Sequence, residues 1–150
     1  MGTLPGIGNP APDRRLLMSA VVIGGLYLVP DSKLTLLPAE ERQVHNERRR
    51  FVVLSGSATN SDTKWPAVLG CPVSASTRFR TEFDVRLAFG EAGASKKCWI
   101  RVPALQPLLK NDLEDLTGAL TAQRLNETQV RLLQYLGLVG QKTDPDEELH

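Results

Sequence analysis

Apolar positions fall in short, dense runs through most of the chain, and a helical spacing emerges only near its end. From Val21 to Val29 the residues are β-branched or aromatic around Gly24-Gly25, which predicts a strand that bends or bulges at the glycines and closes at Pro30-Asp31. Phe51 to Leu54 is a second run, ended by Ser55-Gly56-Ser57, and Pro66 to Val73 is a third. With turn chemistry between them, they read as successive strands. Phe83-Asp84-Val85-Arg86-Leu87 alternates apolar with charged residues, the pattern of a strand with one face in water. A Gly-containing turn from Gly90 to Ser95 then leads into Cys98-Trp99-Ile100-Arg101-Val102. Five closely spaced strands joined by short turns predict a small twisted sheet that closes into a barrel.

Helical signals follow the strands. Asn126 suits an N-cap with Gln129 three residues on, and Val130, Leu133 and Leu136 fall on one face before Gly137 supplies the stop. The expected class is therefore mainly β with a C-terminal helix packed on the sheet. The block Leu105 to Leu120 is leucine-rich but interrupted by Pro107 and Gly118, and it is read as no more than a helical turn.

Length and charge narrow the picture. A chain of 150 residues supports one globular domain: a Gly- and Pro-rich leader over residues 1 to 15, a folded body over 20 to 139, and an acidic, disordered tail over 140 to 150. Arg14-Arg15 before Leu16-Leu17-Met18 has the outline of a signal peptide. No small-x-small cleavage site follows, and the apolar run stops at Pro30, short of the roughly 18 residues a membrane span needs. The expected setting is cytoplasmic, without a membrane. The 18 basic and 17 acidic residues nearly cancel, so attraction to a polyanion must come from local clustering. Basic residues do cluster, at 42 to 50 and 78 to 101. Cys71 and Cys98, each in an apolar run, read as reduced core thiols.

The most suggestive chemistry is Arg48-Arg49-Arg50 at the mouth of the second strand, with Ser74-Ala75-Ser76-Thr77 at the end of the third, followed by Arg78 and Arg80. Guanidinium groups facing hydroxyls at strand ends suit an oxyanion such as a phosphodiester. The two histidines, His45 and His150, and the lack of Cys-x-x-Cys or His-x-x-x-His spacing predict no metal site. No Walker-type phosphate loop or Gly-x-Ser-x-Gly elbow is present, and no cofactor is implied. A metal-free phosphodiester site remains, because RNA supplies its own 2′-hydroxyl as nucleophile and the protein needs only a base, an acid and cations. Arg50, Ser74 and His45 fit those roles. From residue type alone, His45 reads first as a solvated loop histidine, Arg48 and Arg49 as a solvated basic edge, and Ser74 as a strand-end cap.

In order, these segments resemble the MazF/PemK family of toxins from bacterial type II toxin-antitoxin pairs, within the CcdB/PemK superfamily. Gly25-Leu26-Tyr27-Leu28-Val29 resembles the family's opening strand, and His45 to Leu54 resembles the loop whose arginine leads into the second strand, with Arg50-Phe51 where the family has Arg-Pro. Cys71-Pro72-Val73-Ser74 resembles the third-strand signature, Thr81-Glu82-Phe83-Asp84-Val85 the start of the next strand, and Arg124 to Thr128 the C-terminal end. The resemblance implies an SH3-like barrel of about five to seven strands and a homodimer that cuts single-stranded mRNA without metal, leaving a cyclic phosphate and a 5′-hydroxyl. It also implies a cognate antitoxin that covers the RNA groove.

By that resemblance Arg50, Ser74 and His45 would be catalytic, and Phe83 would lie along the RNA channel. Arg48, Arg49, Ser76, Thr77, Arg78, Arg80 and Arg101 would bind substrate. The chain departs from the family after the fifth strand. An acidic residue, Gln, Arg and Thr are expected there, but the stretch reads Val102-Pro103-Ala104-Leu105-Gln106-Pro107-Leu108. Arg101 would then replace one of the missing cations. The same departure motivates an alternative, a non-catalytic barrel that binds RNA or inhibits a protein such as DNA gyrase. A plain SH3-like interaction module is a third reading.

Overall fold

In the computed structural model, which describes residues 21–36 and 48–140, the dense apolar runs are strands buried on both faces. The strands are β1 (Gly25–Pro30), β2 (Arg48–Val53), β3 (Ala67–Ser74), β4 (Val85–Leu87), β5 (Cys98–Ile100), β6 (Gln106–Leu109) and β7 (Leu116–Ala119). Among the described residues two α-helices accompany them, the single turn α1 (Ser57–Ser61) and α2 (Ala122–Tyr135). Every pairing is antiparallel, in the order β4-β5-β3-β2-β1-β7, with β6 added to β3. The sheet curls into a half-barrel. β3 is its branch point: Ala67 to Gly70 pair with β6, whereas Val73 and Ser74 pair with β5.

Side chains alternate along each strand, and here the alternation fills two cores. Leu26, Val52, Cys71, Val73, Val85 and Ile100 form one, against which Leu125 and Leu132 of α2 pack. Tyr27, Val29, Phe51, Val53, Val68 and Leu108 form the other. Gly70 allows the close approach between β3 and β2, since a Cβ there would sit 2.1 Å from the Val52 carbonyl oxygen and 2.6 Å from the Phe51 ring.

Several expectations change. The first strand begins at Gly25 rather than Val21, because Gly25 N–H donates to the Val22 carbonyl and closes a turn. The block Leu105 to Leu120, expected as a helical turn, holds β6 and β7 around a short 3-10 turn at Lys110–Asp112. Pro107 is tolerated because, among the described residues, β6 pairs on one side only, with β3. The helix begins well before Asn126: Thr121 is the N-cap, its hydroxyl accepting from the Arg124 N–H at 3.1 Å.

Its buried face carries Leu125, Thr128 and Leu132, while Val130, Leu133 and Leu136, expected against the sheet, are exposed. The stop at Gly137 is as expected. With φ of 75°, Gly137 donates to the Gln134 carbonyl while Leu138 donates to that of Leu133, a Schellman closure. Among the described residues no helix is long and apolar enough to cross a membrane. The expected leader (1 to 15), the part of the acidic tail beyond Gly140, and His45 with most of its loop lie outside the described residues.

Candidate nucleic-acid interface

The three consecutive arginines of β2 do not point one way. Arg48 and Arg50 share the face of Val52, and Arg49 shares that of Phe51 and Val53. Arg49 Nε donates to Asp31 Oδ1 at 2.9 Å, with both side chains largely buried. Arg48 lies in the open, 3.3 Å from Glu114 and 3.9 Å from Asp115. Arg50 Nε is buried without a hydrogen-bond partner among the described residues, and its charge acts on the Cys98 thiol beside the helix-side core.

Ser74 belongs to the opposite face from Arg50. Pro72 pairs with Phe51, and Ser74, two residues further on, projects to the side of Phe51 and Arg49. The expected Arg50 and Ser74 pairing is thus split across the ladder, and the guanidinium on Ser74's side is that of Arg49. Which of two neighbouring arginines shares the serine's face depends on register, which residue types do not reveal.

The loop after Ser74 is built from its own hydroxyls. Ser74 Oγ accepts from the Ser76 N–H at 3.2 Å and Ser76 Oγ from the Arg78 N–H at 3.1 Å. Thr77 is exposed, and its carbonyl accepts from the Arg80 N–H at 3.4 Å. Arg101 anchors the far side. Its Nε meets Asp84 Oδ2 at 2.9 Å, where the carboxylate is 0% exposed and the guanidinium side chain 15%, and a second guanidinium N–H donates to the Phe79 carbonyl at 2.7 Å.

Asp84 also accepts from Thr81, through its N–H at 3.1 Å and its hydroxyl at 3.2 Å. Phe79 is held at φ of 61°, in the left-handed region that bulky residues rarely enter. Phe83, expected along the channel, is half-buried with its ring edge-on to Tyr135 at 5.2 Å. The exposed aromatic of this loop is Phe79, at 48%.

A row of residues crosses the outer face of the sheet beyond Ser74. Ser74 pairs with Trp99, and Trp99 with Arg86, so all three project to one side. Arg80 and Lys97 both stack on the Trp99 ring, at 5.5 Å from its centroid. Only alternation in Val85-Arg86-Leu87 hinted at this face; the cross-strand register that assembles it leaves no local signal.

Elsewhere, Gln106 ties the segment after β1 to β6. Its amide oxygen accepts from the Thr35 N–H and its nitrogen donates to the Thr35 carbonyl, both at 2.9 Å. Both cysteines are free and buried, and burial pushes the Cys71 thiol up to about 12. Among the described residues no three His, Cys, Asp or Glu side chains converge as a metal site.

Comparison with known proteins agrees with this architecture. Residues 34–136 match the family model of the PemK-like, MazF-like toxins of type II toxin-antitoxin systems. An endoribonuclease from a mycobacterial species superposes with a TM-score of 0.58 at 18% identity, over 80% of this chain and 94% of that one. A mycobacterial endoribonuclease in complex with its cognate antitoxin gives 0.58 at 18%, over 83% and 100%. A MazE-MazF structure from Deinococcus radiodurans gives 0.53 at 24%, over 76% and 92%. At these identities the structural likeness speaks to the fold. No curated protein sequence matches the chain.

Proposed function

The chain belongs to the PemK-like, MazF-like toxins of type II toxin-antitoxin systems, and from that premise we propose that it is a metal-independent endoribonuclease acting on single-stranded mRNA in the cytoplasm. The observation that carries the reading is the shared face of Arg49 and Ser74 at the point where β3 leaves β2 for β5. There a phosphodiester meets a guanidinium already oriented by Asp31 and a hydroxyl at a strand end.

In the reaction the substrate's 2′-oxygen attacks phosphorus as a base takes its proton. The bond to the 5′-oxygen breaks, and an acid protonates the leaving oxygen, giving a cyclic phosphate and a 5′-hydroxyl. Arg49 stabilises the charge that develops on the phosphoryl oxygens, and Ser74 holds the group beside it. His45 is the base suggested by family resemblance. Arg50, on the other face, serves the site indirectly by closing the end of the helix-side core. The relatives solved with antitoxins support a cognate antitoxin as partner, and the family resemblance supports a homodimer.

The test is cleavage of a long single-stranded RNA in EDTA, with product ends mapped. Cyclic phosphate and 5′-hydroxyl ends are expected from wild type, and no cutting would sink the proposal. Arg49→Ala should lower kcat by on the order of 100-fold or more, and Arg50→Ala by far less. The reverse order would restore Arg50 to the site.

A further inference from the structure

Arg80, Arg86 and Lys97 stand apart from the other cations around the site. Arg48, Arg49 and Arg101 each meet a carboxylate within 4 Å. Arg80 and Lys97 instead meet the Trp99 ring from its surroundings at 5.5 Å, and Arg86 is exposed on the neighbouring strand. None of the three has an acidic partner among the described residues. Glu82 is the exposed carboxylate of the adjoining loop, and the face stays positive with it included. Stacking on the indole restricts the long side chains of Arg80 and Lys97 before any ligand arrives, so less ordering entropy is lost on binding.

We propose that the outer face of β4 and β5, with Arg80 and Lys97 ordered on Trp99, Arg86 exposed beside them and Phe79 exposed at its margin, is a flanking subsite for single-stranded RNA. This rests on the endoribonuclease reading. Adjacent strands are about 4.8 Å apart, so Arg86 lies roughly 10 Å from Ser74 across two strand steps. Phosphates next to the scissile one come within reach of these cations, and an unpaired base stacks on Phe79, whose carbonyl is pinned by Arg101.

RNA fits this face better than an acidic peptide. Trp99 is only 4% exposed beneath its cations, so little apolar area remains for a peptide to cover, whereas phosphates need only the charges.

The experiment measures binding of a 2′-O-methylated RNA of about 12 nucleotides, which cannot be cut, across a range of salt concentrations. Wild type is compared with Phe79→Ala and with the double variant Arg86→Gln/Lys97→Gln, whose exposed positions should leave the melting temperature near wild type. The double variant is expected to bind on the order of tenfold more weakly at low salt, with its log-log salt slope reduced by about 1 to 1.5, near 0.7 per lost phosphate contact. Phe79→Ala should lose on the order of fivefold or more.

Affinity and salt slope equal to wild type in the double variant overturn the subsite. So does intact RNA binding with lost affinity for a polyglutamate peptide. Failure of wild-type protein itself to bind or cut RNA would instead remove the endoribonuclease reading, and the subsite with it.

Discussion

The two ends of β5 use the same kind of charge in opposite ways. At one end Arg101 is folded inward onto Asp84, whose carboxylate is fully buried, and its remaining donors hold the Phe79 carbonyl. At the other, Lys97 lies against the Trp99 ring with no carboxylate to meet among the described residues. Arg101 uses its charge to shape a loop, whereas Lys97, with Arg80 and Arg86, leaves its field available to a ligand. Composition does not separate the two uses. What separates them is whether an acidic side chain shares the cation's face, and Asp84 does so only because it immediately precedes β4, the strand paired with β5.

The largest effect that would break this comparison is at Asp84. Removing one partner of a buried ion pair leaves the other charge without compensation, so Asp84→Ala should destabilise the fold by roughly 3–5 kcal/mol in urea unfolding. A loss below about 1 kcal/mol would mean that Arg101 is solvated and that the two ends of β5 are alike. Arg101→Lys should cost less, about 1–2 kcal/mol. An ammonium keeps the charge but not the planar fork that reaches both Asp84 and Phe79. The cost should appear together with increased protease cleavage near Phe79, because its left-handed backbone is held by that fork.

Much of the frame is legible in the sequence. Phe51-Val52-Val53-Leu54 and the run into Cys71-Pro72-Val73 are dense because β2 and β3 are buried on both faces, and that density is a local property. β6 and β7 were hidden because leucine-rich sequence broken by Pro107 and Gly118 carries no period-2 signal, and tertiary pairing with β3 and β1 decides its form. The helix start is hidden in the sequence because Thr121 caps through Arg124 without an acidic residue at the third helical position. Arg48 to Arg50 is legible as a cluster of positive charge but not as two faces. The roles of Arg49 and Arg50 separate only once Phe51 is known to pair with Pro72.

Between the two extremes lies the Glu91 and Arg124 pair, partly exposed at the start of α2. The hydrogen bond from Arg124 holds the Glu91 carboxyl below its ordinary value of 4.5. Because the folded value is depressed, the contribution is fully present above the unfolded value and is lost as pH falls through the folded one. Stability should therefore decline on the acid side below about pH 4.5, and Glu91→Gln should remove that part of the decline. At neutral pH the same substitution should cost only about 0.5–1 kcal/mol, as befits a half-solvated pair. An unchanged acid limb in Glu91→Gln would show that this pair contributes nothing.

The smallest expected effect on stability is the most discriminating for the comparison. If Arg86 and Lys97 hold no part of the fold together, Arg86→Gln/Lys97→Gln should shift the unfolding free energy by no more than about 0.5 kcal/mol. A shift toward greater stability is the natural direction, since Arg80, Arg86 and Lys97, with no acidic partner among the described residues, repel one another. A loss above about 1 kcal/mol would make them structural, like Arg101, and the contrast between the ends of β5 would collapse. Neutral or improved stability with weakened RNA binding is a combination that a structural role for these cations does not produce.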